Sequence, residues 1–311
     1  MNHLRRWGPA VLGLLLFAAA GYVLHQQLRE VSYREVRATL ATLPRTALLT
    51  SVVICALNYF LLTGFDLLGF HYIGRKVAWW KVSIASFTGY AISNSVGFAL
   101  ISGTSVRYRF YSRWGLTPGE ISRIVLFYFG TFWLGLLVLG GWSMAIDAHP
   151  TLSEGWDTAA RVGGWALLGS AVAYFTVSVV WRRPIRFLRW SFELPPPGIV
   201  AMQFILSTID WALAAGIFYV LIPRSQLSFA DFMSAFLTAQ MVGLISHVPG
   251  GAGVFEGTMA FLLSGYLTPE QLVSSLVLYR LVYYVGPLGV ALMILVADEV
   301  RQRRHYFVRW T

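Results

Sequence analysis

The sequence predicts an all-α integral membrane protein: about six full spans plus two Gly/Pro-broken re-entrant hairpins, arranged as two inverted repeats. Three observations carry that prediction. Eight apolar segments occupy most of a 311-residue chain that is 57% hydrophobic and only 12% charged, with mean hydropathy +0.62. Two of the eight are more polar and richer in glycine than the rest. A stretch of the first half also returns in the second, 151 positions later.

The six long runs are Trp7–Leu24, Ala47–Gly69, Ile121–Ile146, Val162–Trp181, Ile199–Ile222 and Leu272–Val296. Each is long enough to cross a hydrocarbon core of ~30 Å. The first has Arg5 and Arg6 before it and Ala18, Ala19 and Ala20 near its end, the outline of a signal peptide, but its length suits a retained span. Between the first two spans, Gln26–Arg45 carries four arginines and places Leu28, Val31, Val36 and Leu40 at helical spacing. It reads as an interfacial amphipathic helix, with Glu30 and Glu35 offsetting part of its charge. No hydrophilic segment is long enough for a soluble catalytic domain, so residues 1–311 read as one polytopic membrane domain.

The repeat pairs LTPGEISRIVLFY (Leu116–Tyr128) with LTPEQLVSSLVLY (Leu267–Tyr279) without a gap. Each Leu-Thr-Pro turn is a helix start, with Pro at the first position and acid in the first turn. Repeat 1 spans about residues 47–146 and repeat 2 about 199–296, each reading helix, glycine-rich hairpin, turn, helix. Charge sets the orientation. Arg75, Lys76 and Lys81 precede Val82–Gly103, and Arg107, Arg109 and Arg113 follow it, so both flanks favour the cytoplasm. That segment is then a hairpin. The acidic loop Asp147–Asp157 lies outside, and the blocks Arg182–Arg189 and Arg301–Arg309 lie inside. Phe232–Leu263 must therefore enter and leave from the outer face, which inverts the second copy relative to the first. The rival drawing has eight full spans and a parallel repeat.

The net charge of +10 resides mostly in loop arginines; only Lys76 and Lys81 of the 24 basic residues are lysine. This fits topology and anionic headgroups rather than nucleic acid. Cys55 is the sole cysteine, which excludes an intramolecular disulfide and a cysteine metal site. No phosphate-binding loop, zinc-protease motif or nucleophile elbow is present, so neither cofactor nor metal is expected and no catalytic residue is assigned.

The strongest candidate for a working site is HVPGGAGVFEG, His247–Gly257. Pro249, Gly250, Gly251 and Gly253 break the backbone at membrane depth, which is tolerated only inside protein or along a polar cavity. His247 and Glu256 flank the break, and intramembrane ionisable groups point to function. Asn94 and Gly97, in Ser93–Gly97, form the softer break of the first hairpin. Arg280 sits eight residues into the last span, with Tyr283 and Tyr284 one turn on. Its guanidinium fork suits a phosphate or carboxylate, or an ion pair with Glu256 or Asp210. Asp210 and Asp66 could line a cavity, pair with arginine, carry a coupling proton or bond between helices, and Asn58 suits the last. Arg107, Arg109 and Arg113, in VRYRFYSR, read as a basic-aromatic strip at the cytoplasmic headgroups or as topology anchors.

GTSVRYRFYSRWGLTPGEISRI (Gly103–Ile124), HVPGGAGVFEG and LYRLVYYVGPL (Leu278–Leu288), in that order, resemble the transmembrane region of lysylphosphatidylglycerol synthases. That family comprises the membrane half of MprF and stand-alone YbhN-like inner-membrane proteins. The resemblance implies a bacterial inner-membrane protein with both termini cytoplasmic, and flippase- or scramblase-like movement of anionic or aminoacylated phospholipid between leaflets. The sequence stops at Thr311, where MprF continues into a soluble transferase, so lipid aminoacylation is not expected of it. The alternatives are a non-transporting partner module for a lipid-synthesis enzyme and an ion or small-anion carrier. A homo-oligomer is compatible with each.

Overall fold

The computed structural model describes residues 43–96, 99–146, 154–181, 185–187, 190–223, 226–246 and 253–307. It is an all-α membrane architecture. Helix α1 (Arg45–Tyr72) begins directly after Pro44 and stops at Gly74, whose φ of +70° closes the end by presenting its N–H to His71 O and that of Arg75 to Phe70 O. Helices α2 (Trp79–Val96) and α3 (Ala99–Tyr111) fold back on one another as a hairpin. Two long antiparallel partners follow, α4 (Pro118–Ile146) and α5 (Glu154–Val180), then a short strand pair, β1 (Ile185–Phe187) and β2 (Trp190–Phe192).

The second half repeats the pattern. Helix α6 (Pro197–Tyr219) leads into a hairpin of α7 (Phe229–Ser246) and α8 (Val254–Leu263). Helix α9 (Pro269–Arg280) then continues through a single π-helical turn, Leu281–Val285, into α10 (Gly286–Phe307).

The two Leu-Thr-Pro turns fold alike. Thr117 and Glu120 cap α4 reciprocally, Thr117 N donating to Glu120 Oε2 at 2.8 Å and Glu120 N to Thr117 Oγ1 at 3.3 Å. Thr268 and Gln271 do the same for α9 at 3.0 and 3.3 Å. The leading helices of the two copies run antiparallel: Asn58 of α1 meets Asp210 of α6, Gly64 meets Leu206, and Tyr72 donates to the carbonyl of Glu193 ahead of α6. Equivalent helices crossing in opposite directions make the repeat an inverted one. The halves also interlock, since α2 packs on α10 while α7 packs on α4.

Each hairpin returns to the end it left. Arg75, just past α1, pairs with Glu120 at the start of α4 at 2.6 Å, so both feet of α2–α3 stand together. Beyond α6, the Leu221 carbonyl accepts Ser275 Oγ of α9 at 2.9 Å, while Phe218 stacks on Tyr279 with centroids 4.8 Å apart. This sets aside the drawing with eight full spans and a parallel repeat.

Six helical stretches among the described residues are long and apolar enough to cross a bilayer. Five coincide with expected spans. The sixth is α7, one limb of the second hairpin, which at 18 residues extends about 27 Å. Trp7–Leu24 and most of Gln26–Arg45 lie outside the described residues.

Candidate functional site

Among the described residues, an arginine–carboxylate pair is associated with each hairpin. In the first half, Arg107 of α3 meets Asp66 of α1 through two parallel bonds, Nε to Oδ1 at 2.7 Å and Nη2 to Oδ2 at 2.8 Å. Both side chains are fully buried. Tyr111 donates to the same carboxylate at 2.8 Å, and the guanidinium lies between the rings of Tyr90 and Tyr128, 4.4 and 4.0 Å from their centroids. Gly89 makes the room: a Cβ there would stand 2.8 Å from Arg107 Nη1. With its fork and both faces occupied, this arginine is a structural cross-link.

The second pair is built differently. Arg280 ends α9, about 17 Å along the last span and near the middle of a ~30 Å core. Its Nε donates to Glu256 Oε1 at 2.9 Å, and Nη2 reaches the same oxygen. Glu256 is held by its other oxygen, which accepts the N–H of Gly253 at 2.7 Å. Gly253, with φ of +79°, caps α8. The side chains of Arg280 and Glu256 keep 20% and 24% of their surface exposed.

The π-turn that follows Arg280 has a local cause. Pro287 has no N–H to offer the Tyr283 carbonyl, and its ring would crowd that carbonyl in a regular α-helix. The chain widens instead, with Gly286 N bonding to Leu281 O. The released carbonyls are taken up by the first repeat: Cys55 Sγ donates to Val282 O at 3.3 Å, Tyr59 to Tyr283 O at 3.1 Å and Ser95 to Tyr284 O at 3.5 Å. Tyr283 and Tyr284 pack edge to face, 5.0 Å between centroids, immediately beside the Arg280 pair.

Among the residues singled out from sequence, Arg280, Glu256, Tyr283 and Tyr284 come together. Asp210 is buried and bonded to Asn58. Asp66 is sealed by Arg107 and lines no open space. The headgroup strip is corrected in two places. Arg107 faces inward, and Arg109 is 5% exposed, its Nη2 contacting Glu299 at 2.8 Å and Asp298 at 3.1 Å. Arg113 alone stays partly open, bonded to Asp298 at 2.8 Å. The reason is helical geometry: Arg107 and Arg109 are two apart on α3, so they point to different neighbours, and each finds an acid there. Asn94 is also corrected, since α2 continues helically through it to Val96. Gly97, His247, Pro249, Gly250 and Gly251 lie outside the described residues. Sequence reasoning did not identify the π-turn, although Gly286-Pro287 inside a span is its signal.

Residues 10–291 match the family model for the lysylphosphatidylglycerol synthase TM region. The chain is similar to an uncharacterized protein of Synechocystis sp., 34% identical over 306 residues, covering 97% of this chain and 95% of that one. It is also similar to the inner membrane protein YbhN of Escherichia coli, 29% identical over 93% of this chain and 92% of that protein. The phosphatidylglycerol lysyltransferase of Staphylococcus aureus is 24% identical over 90% of this chain, a match that takes up 32% of the lysyltransferase.

Proposed function

The chain belongs to the lysylphosphatidylglycerol synthase transmembrane-region family, and from that membership and the site's geometry we propose that it moves phospholipid headgroups between the leaflets of the bacterial inner membrane. In this reading it is a non-enzymatic, multi-pass protein whose ligands are anionic or aminoacylated phospholipids, with the basic end of the bundle facing the cytoplasm.

The observation that supports it is the contrast between the two ion pairs. Arg107 and Asp66 are closed off on every side, whereas Arg280 and Glu256 remain partly exposed at mid-membrane depth. An arginine there is costly without a partner, and a phosphate can replace Glu256 as that partner. The guanidinium fork takes the phosphate in two bonds. Glu256, released, keeps the Gly253 N–H and offers its free oxygen to a cationic amine. Gly253 is the joint about which α8 swings. The lipid tails stay in the bilayer while the headgroup crosses between the second hairpin and the π-turn. The driving force is the lipid gradient or a coupled proton.

The test is translocation of fluorescent phospholipids in proteoliposomes, comparing wild type with Arg280→Ala and Glu256→Gln at equal incorporation. Wild-type movement that both variants lose supports the reading. No wild-type movement across anionic, zwitterionic and lysyl-bearing lipids overturns it in favour of a partner module. Flux of a soluble anion without lipid movement replaces it with a carrier.

A further inference from the structure

A separate cavity of about 180 Å³ lies among α4, α5 and the start of α6, away from both ion pairs. Its polar walls are Arg123, Glu193, Tyr72, Tyr174 and Gln203. The back is held in place by a bonded chain: Tyr174 donates to Gln203 Oε1 at 3.2 Å, and Gln203 Nε2 donates to Thr131 Oγ1 at 2.7 Å. Gln203 is 2% exposed. Tyr72 fixes the rim by donating to the Glu193 carbonyl while its ring stacks on Phe127, centroids 5.2 Å apart.

Arg123 and Glu193 both line this cavity, both are exposed, and they form no ion pair with each other. Arg123 lies five residues into α4, about 8 Å along the helix, which is interfacial depth. Leu126 and Gly130 follow on the same helical face and lead deeper into the bundle's lipid-facing side. A Cβ at Gly130 would meet nothing within 4 Å, so the cavity opens sideways there. The site thus places a cation, an anion and an apolar track in series.

We infer that this cavity is a resident phospholipid site selective for an amine-bearing headgroup, with the phosphate on Arg123, the ammonium beside Glu193 and an acyl chain along Leu126 and Gly130. Occupancy here does not depend on translocation. The site is distinct from Arg280 and Glu256, and binding alone tests it.

The experiment is native mass spectrometry of the full chain in mild detergent, titrated with phosphatidylethanolamine and with phosphatidylglycerol. Wild type, Arg123→Ala, Glu193→Gln and Gly130→Leu are compared, with a melting curve for each. Arg123→Ala should weaken both lipids about 10- to 100-fold, the loss of a charge-assisted phosphate contact. Glu193→Gln should erase the preference for phosphatidylethanolamine while leaving phosphatidylglycerol bound. Gly130→Leu should block both lipids. Unchanged binding by a folded Arg123→Ala overturns the site. Competition by inorganic phosphate with no lipid retained assigns the cavity to a free anion instead.

Discussion

Asn58 and Asp210 stand 152 positions apart, near the repeat offset, and meet where the leading helices of the two repeats cross. Asn58 Nδ2 donates to Asp210 Oδ1 at 2.7 Å and to the Asp210 carbonyl at 3.1 Å, with Asn58 fully buried. Corresponding places in two copies touch only where a two-fold axis passes between them, and here the helices are antiparallel. The inversion axis therefore runs through this bond. Asn58 supplies the donor and Asp210 the acceptor.

Breaking that bond should loosen the joint between the halves. Asn58→Leu is expected to lower stability by about 1 kcal/mol, the scale of interhelical hydrogen bonds in membranes. Asp210→Asn keeps an acceptor for Asn58 and should melt near wild type. Thermal unfolding in detergent distinguishes the two, and equal losses would show that the carboxylate charge itself holds the crossing.

The Asp66–Arg107 pair predicts a larger and asymmetric response. Arg107→Ala leaves a buried carboxylate with only Tyr111 for a partner and should cost about 3–5 kcal/mol or abolish folding. Replacing both members with apolar residues, Asp66→Leu with Arg107→Met, should recover much of that loss. A double-mutant cycle on unfolding free energy measures it. A double variant as unstable as Arg107→Ala would mean that the rings of Tyr90 and Tyr128, rather than the charge, set the requirement.

The five described spans and the hairpins were legible in the sequence because lipid imposes one rule on every segment, and because basic residues on both flanks of Val82–Gly103 marked a return. The partnership of Arg280 and Glu256 was visible as one of two options, since each residue is costly alone at depth. Arg107 was misread for a physical reason. Its local company of Tyr108, Phe110 and Arg113 is that of an interfacial strip, while its carboxylate lies 41 residues earlier and its ring partners lie on α2 and α4. Nothing within α3 carries that information. The Arg123 cavity escaped notice likewise, because its walls come from four separated stretches of chain.

Glycines separate into tight and free positions. A Cβ at Gly135 would stand 2.4 Å from Ser207 O, where α4 and α6 touch backbone to backbone, so Gly135→Ala should destabilise by about 1–3 kcal/mol. Gly216, within α6, has nothing within 4 Å of its added methyl. Gly216→Ala should be neutral or stabilising by about 0.5–1 kcal/mol through helix propensity. Paired melting curves check the contrast, and two equal shifts would remove the close approach as the cause.

Pro287 should govern activity more than stability. With Pro287→Ala the Tyr283 carbonyl regains a backbone donor, and the π-turn can relax to a regular α-helix. Tightening the widened turn to α geometry changes the rotation of α9 relative to α10. Arg280 would then leave Glu256, and Tyr59 would lose its acceptor to the new N–H. The expected outcome is a protein that melts within about 1 kcal/mol of wild type, because the new helical bond offsets the lost Tyr59 contact. Lipid translocation in proteoliposomes should fall as far as in Arg280→Ala. Tyr59→Phe provides the control: it leaves the turn in place, so it should cost stability while sparing most of the transport. If Pro287→Ala transports normally, the π-turn is only a packing solution to proline, and the placement of Arg280 does not depend on it.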